Sequence, residues 1–211
     1  QEMTKMGGLL KKMPITAITM LIGVIAISGL AIPGTAIAFS GYHSKDAIVA
    51  SSLAYFSLNP KHSPLFIVPL ATAGITAFYM FRLWFLTFAG KPRDEHVHEH
   101  AHESPAVMTV PLIVLAVFSV CVASGWPIWD AAASYLGHAL AKSEPAAVEV
   151  QFLHDRHTAH DYHLAAGGLA LLLALTGAGI AYRFFGRTQP TTETMYAAGG
   201  AGYRFRPAAH A

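Results

Sequence analysis

The stretch "MPITAITMLIGVIAISGLAI", Met13 to Ile32, holds 20 residues and no charged side chain. An α-helix needs about 20 mostly apolar residues to cross the hydrocarbon core of a bilayer, so this run predicts a membrane span. Other runs repeat the signal. "LFIVPLATAGITAFYMFRLWFLTFAG", Leu65 to Gly90, "VMTVPLIVLAVFSVCVASG", Val107 to Gly125, and "LAAGGLALLLALTGAGIAY", Leu164 to Tyr182, are each long enough to cross. Their apolar residues run on without alternating, and they are longer than strands. The expected fold is an all-α membrane protein, a bundle of about five transmembrane helices, one of them discontinuous.

Composition agrees. Of the 211 residues, 54% are hydrophobic and 12% charged, where a soluble domain carries roughly 25% charged residues. The first apolar run is long and others follow it, which is not the form of a cleaved signal peptide. The lone Cys121 sits inside an apolar run, so it forms no intrachain disulfide and reads as packing. A formal charge of +2 without a basic block gives no reason to expect a nucleic-acid partner. There is no phosphate-binding glycine loop, CxxC pair or catalytic triad spacing, and no cofactor is expected in this chain.

The remaining apolar material, Pro33 to Leu58, is split by "SGYHSKD" into halves too short to cross alone. Together they predict one crossing with a break near its middle, bounded upstream by Pro33 and Gly34. Lys45 and Asp46 fall at that break. Ionisable groups inside a span cost several kcal/mol and usually face the bundle interior, on an ion or proton path. Unwound backbone at membrane depth is tolerated only where protein or a water-filled cavity satisfies its polar groups. Burial disfavours the charged form of an amine and a neighbouring anion restores it, which is what a switchable proton carrier requires. The alternative is a plain loop between two short interfacial helices, with Lys45 in the headgroups.

The chain thus divides into a module over 1–125 (spans near 13–32, 33–58, 65–90 and 107–125), an interfacial amphipathic segment and His-rich loop over 126–163, a final transmembrane helix over 164–186, and a tail over 187–211. Arg82 lies close enough to a span end to snorkel. His96, His98, His100 and His102 in "HVHEHAHE", and His154, His157, His160 and His163 in "HDRHTAHDYH", contain common metal-ligand side chains. Neither spacing is that of a defined zinc site, so they read as solvated loop histidines, with the first four as weak metal candidates. Gly167, Gly168, Gly177 and Gly179 suit close helix packing. The positive-inside rule gives a tie, with Lys5, Lys11, Lys12 and Lys61 on one side and Lys91, Arg93, Arg183 and Arg187 on the other.

Several strings together, "MGGLLKKMPIT", "GYHSKDAI", "FYMFRLWFLTFAGKPRDEH" and "HEHAHESPAVMTVPLIVLAVFSV", resemble in order and spacing the later part of subunit L of the proton-pumping NADH–quinone oxidoreductases, respiratory complex I. The resemblance is strong from Met3 to about Gly125 and loose from His160 to Gly186. It implies an antiporter-like subunit whose discontinuous helix bears a proton-path lysine. The family's "FFSKDEI" lines up with "YHSKDAI", which implies the proton-carrying role for Lys45 and the adjoining carboxylate for Asp46. His43 stands where the family has an aromatic residue, as an added relay or a neutral replacement, and Ala47 where it has an acid. The resemblance also puts 90–105 and the region after Arg183 on the cytoplasmic face.

The family's earlier half, with further path residues, has no counterpart here. The implied function is therefore that of a partial or split proton-translocating subunit of a respiratory NADH–quinone oxidoreductase, without a redox site of its own. Its expected partners are the lipid bilayer, other membrane subunits and a separate first half, and its expected place is the bacterial inner membrane, as a multi-pass protein. A subunit of a multi-subunit sodium/proton antiporter is the alternative reading, and a His-rich metal-handling membrane protein a third.

Overall fold

A computed structural model describes residues 3–31, 39–121 and 150–187, with side chains of the last segment from residue 165 onward. The helices are α1 (Pro14–Ser28), α2 (Ser40–Leu58), α3 (Pro64–Phe88), a single turn and a half α4 (Glu95–Glu99), α5 (Ala106–Cys121) and α6 (Val150–Ala181), and no strand occurs among the described residues. Two described helical stretches, Pro60–Phe88 and Ala165–Arg187, are long and apolar enough to cross a membrane by themselves. The all-α fold agrees with the sequence.

Three boundaries differ from expectation. The first helix stops at Ser28 rather than Ile32, because Gly29 takes a left-handed conformation (φ 72°). Its N–H donates to the Ala26 carbonyl at 3.0 Å and that of Leu30 to Ile25 at 3.3 Å, a Schellman ending that glycine enters without the steric cost of a Cβ. The second difference is at "SGYHSKD", which is no break: α2 runs unbroken from Ser40 to Leu58. That string contains no proline, so every residue can donate its N–H to the helix, and the interruption lies upstream, between Ser28 and Ser40. Residues 32–38, with Pro33 and Gly34, lie outside the described residues. Third, the expected His-rich loop is helical from Val150, continuous with the last span, and the helix passes 163–164 without a boundary. The interfacial segment over 126–149 and the tail from 188 lie outside the described residues.

At about 1.5 Å per residue, α1 with 15 residues is about 22 Å long and α2 with 19 about 28 Å. They lie one after the other along α3, antiparallel to it. Trp84 of α3 donates its indole N–H to Ala17 of α1 at 3.0 Å, in a core cluster of Leu9, Ala17, Val24, Trp84 and Phe88. Farther back along α3, Phe66 stacks on Phe56 of α2 at 5.8 Å. α6 runs parallel to α3. Val49 and Ala50 of α2 pack with Ala166 and Ala170 of α6, beside Phe66 and Leu70, and Tyr182, after α6, meets Phe85. Gly177 and Gly74 bring the two backbones together: a Cβ on Gly177 would clash with the Gly74 carbonyl, and one on Gly74 would sit 3.1 Å from that of Leu173. Of the four packing glycines expected, Gly167 and Gly177 do pack closely, while Gly168 and Gly179 meet nothing within 4 Å. Arg82 sits over the Phe185 ring, 5.2 Å from its centroid, a cation–π contact.

The start of the chain is tied to the segment after α3. Gly8 N–H donates to Ala89 at 3.1 Å, and the Arg93 guanidinium donates to Met3 at 3.1 Å and also to the Leu86 carbonyl. Glu103 reaches the start of α1, accepting from Ile15 N–H at 2.7 Å and from the Thr16 hydroxyl at 2.5 Å. Residue 13 offers α1 no side-chain cap, and Glu103 supplies one from 88 residues away. The division of charges into two equal groups is thereby corrected. Lys5, Lys11 and Lys12 share one end of the bundle with Lys91 and Arg93, and Arg183 and Arg187 join them because the end of α6 meets Phe78 and Phe85 of α3.

Candidate proton-transfer site at the α1–α2 junction

A Schellman ending satisfies the carbonyls of Ile25 and Ala26 and leaves those of the last residues of α1 over. Lys45, less than two turns into α2, meets one of them: its ammonium donates to the Ile27 carbonyl at 2.6 Å. The C-terminal end of a helix carries partial negative charge, so a cation is stabilised there. The approach depends on absent side chains. A Cβ on Gly29 would come within 2.8 Å of Lys45 Cδ, and one on Gly41 would clash with the Ala26 carbonyl.

Residues adjacent in a helix do not face the same way, and the structure separates Lys45 from Asp46 accordingly. Lys45 turns to α1. Asp46 and Tyr42, one turn apart, turn to α6, where a Cβ on Gly167 would be 2.7 Å from both Asp46 Oδ1 and the Tyr42 hydroxyl. Asp46 Oδ1 is fully buried. His43, partly buried, lies edge-on to Tyr42 with ring centroids 5.7 Å apart. Lys45, Asp46 and His43 thus share the first two turns of α2 but not one direction.

On the side of α3, Lys45 borders an open cavity of about 340 Å³, lined also by Ile48, Val49, Val68, Pro69, Thr72, Ala73 and Thr76. That volume is room enough for several waters at about 30 Å³ each, but most of its lining is apolar, and water there depends on the few polar groups at its edge. Its polar groups come from α3. Thr72 and Thr76 stand one turn apart, and the Thr72 hydroxyl donates to the Val68 carbonyl at 2.7 Å. Pro69 within α3 has no N–H for the carbonyl four residues before it. Ser28, beside Ile27, is fully buried, and its hydroxyl has no hydrogen-bond partner among the described residues. Sequence reading missed Ser28, Tyr42, Thr72 and Thr76. Only the i, i+4 spacing of the two threonines within an apolar run could have signalled any of them. An ammonium at a helix end, beside a mostly apolar cavity edged by two threonines, can hold a proton.

The histidines lie elsewhere. His96, His98 and His100 are on or next to α4, with His102 just beyond, at the end of the bundle where α3 finishes. Among the described residues no group of three or more His, Cys, Asp or Glu side chains could hold a metal ion. The side chains of His154, His157, His160 and His163 lie outside the described residues, and Cys121 is free and exposed.

Comparison with known proteins matches residues 1–60 to the family described as NADH:quinone oxidoreductase/Mrp antiporter, TM. The match covers α1 and α2 with Lys45. NADH-quinone oxidoreductase subunit L of Rhodobacter capsulatus is 48% identical over 132 residues, 60% of this chain and 18% of that protein. F(420)H(2) dehydrogenase subunit L of Methanosarcina mazei is 44% identical over 120 residues, 57% of this chain and 17% of that protein. NAD(P)H-quinone oxidoreductase chain 5 of a Picosynechococcus species is 43% identical over 141 residues, 58% and 19%. The chain spans about a fifth of the length of these curated relatives. Its similarity to the antiporter-like membrane subunits of quinone oxidoreductases, and its nature as a membrane protein, are plain.

Proposed function

We propose that this chain supplies the lysine-bearing part of a proton-translocating membrane subunit of a respiratory NADH–quinone oxidoreductase, with Lys45 as a proton carrier coupled to quinone reduction elsewhere in the complex. One observation carries the reading: the Lys45 ammonium lies on the Ile27 carbonyl where one helix ends and the next begins, within the segment that matches the family. α1 and α2 are read as the two halves of a single discontinuous crossing. α1 starts beside the end of α3, and α2 ends where α3 begins. A full crossing by each would return the chain to the side it left and separate those neighbours.

The chemistry follows from the two surroundings of the amine. Against the Ile27 carbonyl the charged form is stabilised by the helix end. Toward the cavity, Thr72, whose hydroxyl proton goes to the Val68 carbonyl, offers an acceptor, and Thr76 a hydroxyl; water held between them and the amine is read as the proton's exchange partner. Asp46, Tyr42 and His43 stand on the other face of α2 and extend the polar groups toward α6. No step of electron transfer is assigned to this chain. Its partners are read as the redox subunits and the separate earlier part of the antiporter-like module, in a bacterial inner membrane.

Arginine stays protonated at any working pH, so Lys45→Arg keeps the charge and loses the switch, whereas Lys45→Ala loses both. With assembly verified by co-purification, quinone-driven proton pumping is expected to fall strongly in both variants. Near-normal pumping with arginine would reduce Lys45 to an electrostatic anchor. The second reading, a subunit of a multi-subunit sodium/proton antiporter, draws on the wording of the matched family, which names both assemblies. Companions retained in mild detergent separate the two: redox subunits favour the first, further antiporter subunits alone the second.

A further inference from the structure

We infer that His96 and His100 form a binding site for a borderline divalent metal ion such as zinc or copper(II) on the loop that joins α3 to α5. The two residues are one turn apart on and just after α4, which places them on one face. Their rings lie 4.5 Å apart between centroids, tilted by 33°, and both residues are exposed. The tautomer of one is set by the backbone. His100 Nδ1 is 2.9 Å from the His96 carbonyl, which can only accept, so Nδ1 carries the proton and the Nε2 lone pair is free to ligate. A hydrogen bond of this kind at the second nitrogen fixes the tautomer and orients ligating imidazoles in metal sites. Binding requires the two rings to turn so that both Nε2 lone pairs meet one ion.

Acidic residues adjoin the pair. Asp94, Glu95 and Glu99 flank the pair, and Asp94 caps α4 by accepting from Val97 N–H at 3.3 Å. Imidazole suits zinc and copper better than magnesium or calcium, which prefer oxygen. With two protein ligands, water completes the coordination, and binding in the micromolar range is expected. The ion would brace the segment from Asp94 to His100, which leads into Glu103 at the start of α1.

The test uses the full chain in detergent, with inorganic zinc as probe and diethyl pyrocarbonate modification of each histidine read by mass spectrometry. Zinc is expected to protect His96 and His100 together, with one saturable midpoint. Loss of an outer-shell partner alone costs about 10- to 100-fold in metal affinity, so His96→Ala should raise the zinc midpoint at His100 by at least about tenfold. His98→Ala, which alters the half-buried neighbour, should leave it unchanged. Protection of His100 at the same midpoint in His96→Ala, equal loss in His98→Ala, or no protection of either residue up to millimolar zinc would overturn the site. These readouts are independent of proton pumping.

Discussion

Lys45 shows how a single side chain depends on what its neighbours lack. Its ammonium reaches the Ile27 carbonyl because Gly29 and Gly41 leave room for its stem and for α2. Gly41→Val is therefore expected to push α2 off α1 and cost about 1–3 kcal/mol of stability, the usual range for overpacking, readable as a lower thermal midpoint in detergent. Glu103 gives a pH-dependent counterpart. Slight desolvation works against its carboxylate, but the Thr16 hydroxyl and the amides of Ile15, Ser104 and Thr16 outweigh it and hold its pKa below the ordinary glutamate value. A carboxyl depressed on folding contributes stability that is fully present above the unfolded pKa, about 4.3, and is lost as pH falls through the folded one. Acidification from neutral to pH of about 3 should lower the thermal midpoint of the wild type more than that of Glu103→Gln, which has no proton to gain. Equal slopes would count against the cap.

At the level of elements, helix starts were legible where a strong breaker stood just before a long apolar run. α3 and α5 lie within a residue or two of their expected starts because "NPKHSP" and Pro105 mark them. The break was misplaced because two adjacent charges look like an interruption by hydropathy, whereas a helix is stopped by a missing N–H or a left-handed residue. Gly29 was the real signal, hidden among apolar neighbours. Of the candidate site, the sequence singled out Lys45 but not its surroundings: the carbonyl it meets comes from an element 18 residues earlier, and no periodicity in α2 announces that. A topological prediction follows from α1 and α2 as one crossing. In a Cys121→Ser background, single cysteines at Lys12 and Asn59 should label from opposite sides of the membrane with an impermeant reagent. Labelling of both from one side would mean two crossings and remove Lys45 from mid-membrane. The meeting of α3 and α6 rests on small residues, so Gly177→Leu should separate them, seen as a reduced thermal midpoint with α2 unaffected in its labelling.

For the whole molecule, the ties between the chain start, the segment after α3 and the end of α6 gather positive charge at one end. Among the residues whose side chains are described, Lys5, Lys11, Lys12, Lys91, Arg93, Arg183 and Arg187 lie there, and Lys61 lies between α2 and α3 at the other. Loops rich in lysine and arginine stay in the cytoplasm, so this asymmetry predicts that the end bearing 89–105 and 182–187 is cytoplasmic. A reporter fused after Arg187 should be active only in its cytoplasmic form. Activity of a periplasm-dependent reporter at that position would reverse the orientation.

The acceptor for Lys45 is a main-chain oxygen, and that has a consequence for genetics. No codon change at position 27 deletes it, because every amino acid brings the same carbonyl. A screen for inactive alleles would then recover Lys45 and the glycines around it while passing over Ile27, and suppressors would fall among residues that shift the end of α1. The half of the contact invisible to mutation is the half that a scan of side chains would leave off the map.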